Sequence, residues 1–301
     1  MTDQNHLKNG EVLMIHYAQS SAFGAISYLH TLMTEKIIIL DFGSQYTQLI
    51  ARAVREANVY CEIIPFSRAI TFDESIKGVI LSGSPFSVND ANAPQVDVKT
   101  LTTQAPVLGI CYGAQLTAQQ FGGQVAKSNK REYGRAYLHL EQDDVLLKEM
   151  TPASQVWMSH GDSILNLPEH FELLATTDSI PVAAFRQTQN GSKPLYGLQF
   201  HPEVYHSIEG KKILNNFLVN ICGCKRDWTP AHFITDTVAS LQQQVGERKV
   251  IMALSGGVDS TVAAVLISKA IGDRLHGIFV DNGVLRKDEF QHVLDTYAQL
   301  G

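Results

Sequence analysis

Ala105-Pro106-Val107-Leu108-Gly109-Ile110-Cys111-Tyr112-Gly113-Ala114-Gln115-Leu116 is the stretch on which the reading of this chain turns. Pro106 opens it, and Val107, Leu108 and Ile110 read as a short buried strand. Gly109 and Gly113 stand two residues either side of Cys111. That is the glycine-x-nucleophile-x-glycine spacing of a nucleophile elbow, with sulfur in place of the hydroxyl. An elbow is a sharp, strained turn from strand to helix, and neighbours without a β-carbon let the nucleophile stand clear of the backbone. A helix over residues 114–121 follows, its N-terminus aimed at the sulfur, where it favours negative charge. A lone cysteine is most often a buried structural residue. Paired glycines, a strand before and a helix after turn the reading towards a nucleophile.

Working outward, residues 36–41 (Lys-Ile-Ile-Ile-Leu-Asp) form a continuous apolar run of the kind buried on both faces of a parallel sheet. Residues 46–57 follow as a helix with Leu49, Ile50, Ala53 and Val54 on one face. Further strands are expected at 60–65, 78–82 and 107–110. This alternation predicts a doubly wound, mostly parallel α/β sheet with ligands outside the carboxyl ends of its strands, where Gly83 and Cys111 fall. From Lys130 onward the texture changes to strand-like pieces at 135–140, 155–158, 171–176, 182–186 and 195–200, closed by a helix over 211–220. Residues 222–229 read as a linker. A fresh apolar strand at 249–254, a helix through Ile271, a strand at 275–280 and a helix over 287–300 then begin a second α/β domain. Those elements are too few to bury a core, so this domain is expected to be incomplete. The expected division is 1–33 an extension, 34–222 the first domain, 223–248 a linker with a leading helix, and 249–301 the second domain. Residues 1–32 make a poor signal peptide, and Met33 is a candidate start.

Composition narrows the function. The chain has 301 residues, a net charge of −6 and 45% hydrophobic residues, enough for real cores but without the basic footprint of a nucleic-acid binder. Four cysteines, Cys61, Cys111, Cys222 and Cys224, are too few and too scattered for a disulfide framework, which points to a reducing, cytosolic compartment. No run of 18 or more apolar residues suggests a membrane span, and no metal-ligand spacing is visible.

A thiol nucleophile needs a base, and the base an orienter. The best pair is His201 and Glu203 in Gln199-Phe200-His201-Pro202-Glu203. In an extended segment residues two apart share a side, and Pro202 stiffens the geometry. A carboxylate on one imidazole nitrogen fixes the tautomer and leaves the other to take the Cys111 proton. Acyl chemistry also needs an oxyanion hole. Its expected donors are the backbone N–H of Tyr112, just after the nucleophile, and that of Gly83, in the turn ending the neighbouring strand.

Cys111 in Gly-Ile-Cys-Tyr-Gly-Ala-Gln, with His201-Pro202-Glu203 downstream, resembles the class I (triad) glutamine amidotransferases over residues 34–222. The resemblance implies that Cys111 attacks the side-chain amide of glutamine, releases ammonia and leaves a glutamyl thioester for water to hydrolyse. It also implies that Gln115, Ser159, His160 and Asp162 hold the glutamine. One departure is visible: members commonly carry two glycines where this chain has Gly83-Ser84.

Ser255-Gly256-Gly257-Val258-Asp259-Ser260 lies between strand and helix, where glycines let backbone N–H groups approach phosphate. Without a closing Gly-Lys-Ser/Thr it is not a Walker A loop. It resembles the pyrophosphate-binding loop of the N-type ATP pyrophosphatases, which implies ATP binding by Ser255–Ser260 and Thr261, with Mg2+, in an adenine nucleotide alpha hydrolase-like domain. Asp41–Arg52, Arg131-Glu132-Tyr133-Gly134 and Phe279-Val280-Asp281-Asn282-Gly283 extend the likeness to the glutamine-hydrolysing GMP synthase family over residues 34–301. That likeness implies amination of xanthosine 5′-monophosphate (XMP) to GMP with ATP cleaved to AMP and pyrophosphate. It also implies a further C-terminal domain that binds XMP and makes homodimers. Two alternatives stay open: a glutaminase subunit serving another synthetase, and a non-catalytic regulatory module that kept the fold.

Overall fold

The computed structural model describes residues 12–13, 35–189, 191–280 and 289–300. The expected extension 1–33 (save 12–13), the phrase Asp281-Asn282-Gly283 and the start of the last helix lie outside them. The chain divides into two compact units, a first of residues 30–229 and a second that joins residues 230–301 to the N-terminal segment carrying residues 12–13.

β1 (Val12–Leu13) belongs to the second unit, pairing parallel with residues 249–250. The first unit begins with β2 (Lys36–Asp41), α1 (Thr47–Glu56), β3 (Tyr60–Pro65) and β4 (Ile76–Leu81). Next come α2 (Val98–Gln104), β5 (Val107–Ile110) and α3 (Tyr112–Gln120). β6 (Gln124–Tyr137), β7 (His139–Leu140), β8 (Gln155–Asn166), β9 (Phe171–Thr176), β10 (Ala184–Gln187) and β11 (Leu195–Leu198) follow. α4 (Gly210–Asn215) continues as one turn of π-helix, Asn216–Ile221. An eight-stranded sheet runs in the order β3-β2-β4-β5-β11-β10-β9-β7. Its first five strands are parallel and the rest antiparallel. The elbow strand β5 is therefore central, and Val107, Leu108 and Ile110 are fully buried. Cores lie on both faces, one around Ile37, Ile39 and Ile110, the other around Ile38, Leu40 and Val107.

Several boundaries differ from expectation for physical reasons. α2 forms in a segment, Val98-Lys99-Thr100-Leu101-Thr102-Thr103, whose β-branched residues weaken its helix propensity. Asp97 supplies the missing signal, capping the helix by accepting the Thr100 N–H at 3.1 Å. β8 runs on to Asn166 instead of stopping at Met158, because it pairs antiparallel with β6 in a separate two-stranded ribbon. Its register slips between Lys127 and Glu132. β11 stops at Leu198, two residues short of the expected Phe200. The expected linker 222–229 packs on the first unit: Cys224 is buried, and the Trp228 N–H donates to the Asn58 carbonyl at 3.0 Å.

The second unit has α5 (Pro230–Val245), β12 (Lys249–Leu254), α6 (Val258–Ile271), β13 (Leu275–Phe279) and α7 (Glu289–Leu300). Its sheet is β1-β12-β13, all parallel, over a small core of Val245, Val250, Ala270 and Ile271. No helix among the described residues is long and apolar enough to cross a membrane.

Candidate active site

Cys111 sits between β5 and α3 with φ 52° and ψ −103°, a left-handed φ that a side chain rarely adopts. The flanking glycines make that turn possible. A β-carbon at Gly109 would lie 2.6 Å from the Gly113 carbonyl, and one at Gly113 would lie 2.6 Å from the Leu81 backbone oxygen. Hydrogen bonds hold the strain in place. The Cys111 N–H donates to the Leu198 carbonyl at 2.7 Å, its carbonyl accepts from Gln115 N–H at 3.0 Å, and Gly113 N–H reaches the Ser82 carbonyl at 3.2 Å. α3 starts directly after the sulfur, at Tyr112 rather than at the expected Ala114, so its first N–H groups are already in place beside Cys111.

His201 and Glu203 meet, though not by strand alternation. β11 has ended, and the two residues share a turn in which His201 Nδ1 lies 2.7 Å from Glu203 Oε1. The His201 backbone is tied to β8: its N–H donates to the Trp157 carbonyl at 3.0 Å, and its carbonyl accepts from the Ser207 hydroxyl. Only a glycine fits at 210, where a β-carbon would fall 1.8 Å from the Pro202 carbonyl oxygen. Both side chains are withdrawn from water, at 3% and 0% exposure. Burial works against a charged His201, but the Glu203 carboxylate and the Cys111 sulfur outweigh it and hold the imidazole well above its ordinary value. Edge-on packing by Tyr46, 4.9 Å between ring centroids, fixes the imidazole plane from the side.

A cleft of about 750 Å³ opens over the sulfur. Cys111, Tyr112, Gly83 and His201 line it, and so do Gln115, Ser159, His160 and Asp162. Gln115 is 3% exposed and donates from Nε2 to the Asp162 carbonyl at 2.7 Å, joining α3 to β8. Burial, with the His201 charge adding to it, pushes His160 down to about 4 against the influence of Asp162, so its ring is neutral at pH 7. Ser44, Tyr46, Lys127 and Tyr133 also line the cleft. Sequence reasoning missed them. The turn Phe42-Gly43-Ser44 at the carboxyl end of β2 was the available signal for the first two, since ligands sit at such ends.

Ser255–Thr261 lies in the second unit. Gly256 has φ +74°, and a β-carbon there would meet Val293 Cγ2 at 2.8 Å. Gly257 caps α6. The Ser255 and Ser260 hydroxyls are 2.9 Å apart, and Thr261 Oγ1 donates to the Gly257 carbonyl at 2.9 Å. The loop is a closed, exposed turn at the head of a 14-residue helix, in which the Ser255 N–H donates to Ser260 Oγ and the Gly257 N–H to Ser255 Oγ, both at 3.3 Å. Among the described residues no cluster of His, Cys, Asp and Glu could hold a metal ion.

The family model for class-I glutamine amidotransferases matches residues 38–221, and that for NAD synthase matches residues 231–301. Over 270 residues the chain is 56% identical to a Cytophaga hutchinsonii protein and 54% identical to one from Bacteroides fragilis, both called GMP synthase (glutamine-hydrolyzing). Those alignments cover 89% of this chain and 52% and 53% of the relatives, so the chain spans about half their length. Among solved structures, a Thermoplasma acidophilum protein described as one of the subunits of a GMP synthase has a TM-score of 0.52 at 29% identity, covering 63% of this chain and 94% of that one. A glutamine amidotransferase of Thermotoga maritima has a TM-score of 0.52 at 19% identity, covering 62% and 98%, which is a likeness of fold alone.

Proposed function

Because the chain belongs to the class-I glutamine amidotransferase family, which matches it over residues 38–221, we propose that its first unit hydrolyses glutamine through Cys111, His201 and Glu203. The observation that carries this reading is the strained elbow at Cys111 sharing a cleft with His201, whose Nδ1 lies 2.7 Å from the buried Glu203 carboxylate. The Cys111 thiolate adds to the side-chain amide carbon of glutamine, forming a C–S bond while the carbonyl π pair moves to oxygen. Backbone N–H groups of Tyr112 and Gly83 receive that oxyanion. Its collapse breaks the C–N bond, and the His201 imidazolium supplies the proton with which ammonia leaves. Neutral His201 then takes a proton from water, whose oxygen attacks the thioester; the second collapse expels the thiolate and yields glutamate. Glu203 orients the ring and stabilises its charged form throughout. Gln115, Ser159, His160 and Asp162 hold the substrate in the cleft.

The ammonia is proposed to aminate XMP, giving GMP, the product in the names of the relatives. ATP would adenylate the C2 oxygen of XMP, and ammonia would displace AMP. Ser255, Gly256, Gly257, Val258, Asp259, Ser260 and Thr261 suit the β,γ-phosphates of ATP with its Mg2+, because their exposed, glycine-containing turn stands at the start of a 14-residue helix. A homodimeric, cytoplasmic enzyme without nucleic-acid or membrane partners completes the proposal. The test is ammonia release from glutamine, with and without ATP and XMP, beside the Cys111→Ala variant. Release that vanishes in the variant is expected; release that persists overturns the reading.

A further inference from the structure

Glutamine reacts at one end and carries its charges at the other, so the cleft needs partners for an α-ammonium and an α-carboxylate as well as for the amide. Two acidic residues, Asp90 and Asp162, line the cleft over Cys111, and among the described residues Lys127 is the only lysine or arginine that does. Lys127 and Asp162 stand directly opposite each other in the antiparallel β6–β8 ribbon, so their side chains leave the same face. They do not pair. Asp162 Oδ2 is buried without a hydrogen-bond partner, and the exposed Lys127 makes no ion pair among the described residues. The register of the ribbon slips immediately after Lys127, and pairing resumes at Glu132 with His160. Such a bulge bends its strand and re-aims the side chains beside it. Asn89 Nδ2 donates to the Val125 carbonyl at 3.2 Å, which ties the loop bearing Asp90 to the strand bearing Lys127.

We propose that Lys127 is a specificity-determining residue of the glutamine site: its ammonium group receives the α-carboxylate of the substrate. This rests on the glutaminase reading above. The α-ammonium and α-carboxylate hang from one carbon, so the carboxylate lies beside whatever holds the ammonium. Asp162 offers the ammonium an acceptor oxygen that no described residue uses, and Lys127 faces it across the ribbon. A zwitterion answers both side chains at once, where a ligand with one charge would leave the other open. Lys127 therefore selects free glutamine over a glutamine side chain within a peptide, which has no α-carboxylate to give. The contact lies away from the reacting carbon and is the same before and in the transition state, so it sets affinity and not the rate of the chemical step.

The experiment measures ammonia release by the wild-type protein, Lys127→Met and Lys127→Arg, each with L-glutamine and with L-glutamine α-amide, in which a neutral carboxamide replaces the α-carboxylate. A hydrogen bond to a charged group is worth about tenfold at the low end of its range, the end that suits a lysine open to water. We expect KM for glutamine to rise about tenfold in Lys127→Met with kcat within about twofold, the pattern of a lost contact common to ground and transition states. Lys127→Arg keeps the charge and should recover most of the affinity. The wild-type protein should prefer glutamine to the α-amide by about tenfold in kcat/KM, and Lys127→Met should lose that preference while handling the α-amide as the wild type does. Alkylation of Cys111 by iodoacetamide, which carries no carboxylate, should keep its wild-type rate. An unchanged KM in Lys127→Met overturns the inference. So does a loss shared equally by glutamine and the α-amide, or a slower alkylation of Cys111, since either means that the lysine supports the ribbon and not the carboxylate. Failure of the wild-type protein to release ammonia in a Cys111-dependent way overturns the glutaminase reading itself, a result distinguishable without any Lys127 variant.

Discussion

Glu203→Gln isolates the electrostatic part of the site. The substitution keeps the shape of a side chain that is fully buried and deletes the charge 2.7 Å from His201 Nδ1. A hydrogen bond to a charged group contributes about 1.5–3 kcal/mol. At about 1.36 kcal/mol per decade, that converts to a loss of about 10- to 150-fold in the rate of glutamine hydrolysis. The pH dependence gives a second reading of the same bond. Against burial, Glu203 and Cys111 hold His201 well above its ordinary value of 6.5. The stability it contributes is therefore complete below about 6.5 and is lost as pH climbs through the raised folded value. The same window sets the alkaline limb of the rate, where the proton destined for ammonia disappears. In Glu203→Gln the alkaline limb should move towards neutrality, and the decline in stability across that window should flatten. Ammonia release between about pH 6 and 10 and urea midpoints over the same range test both. A variant with the wild-type rate and an unmoved alkaline limb would refute the assignment of Glu203.

Two further substitutions test the backbone. Gly113→Ala puts a β-carbon 2.6 Å from the Leu81 backbone, and overpacking of this kind should cost about 1–3 kcal/mol in urea unfolding while slowing alkylation of Cys111. In the second unit, Gly256→Ala must adopt φ +74° against Val293, a strain of about 1–2 kcal/mol. ATP-dependent pyrophosphate release should fall while nucleotide-free ammonia release stays unchanged.

What could be read from the sequence divides along physical lines. β2, β3 and β5 are apolar runs bounded by turn residues, and their local pattern suffices. The elbow was equally legible, since the glycine spacing is itself a statement of what the backbone must do. His201 and Glu203 were identified correctly as neighbours, but for a different geometry, since alternation along a strand was expected and a turn pinned to Trp157 and Ser207 is found. The β6–β8 ribbon, the Tyr46 contact with His201 and the Ser84 hydrogen bond to the Phe42 carbonyl were not legible. Each joins residues far apart in the chain, and no local periodicity encodes such a pairing.

The strain at Cys111 explains why these distant contacts matter together. A residue held at φ 52° stores about 1–3 kcal/mol and persists only where its surroundings over-determine it. Here the surroundings are its two neighbouring strands. β11 accepts the Cys111 N–H through Leu198 and three residues later delivers His201. β4 presses Leu81 against Gly113, while Ser82 accepts the Gly113 N–H and precedes Gly83. The bonds that hold Cys111 in its strained pose are therefore the bonds that set its register with His201 on one side and Gly83 on the other. Relaxing the elbow would displace all three residues at once, and the proposed reaction needs all three in register, which is a reason for the strain to be retained.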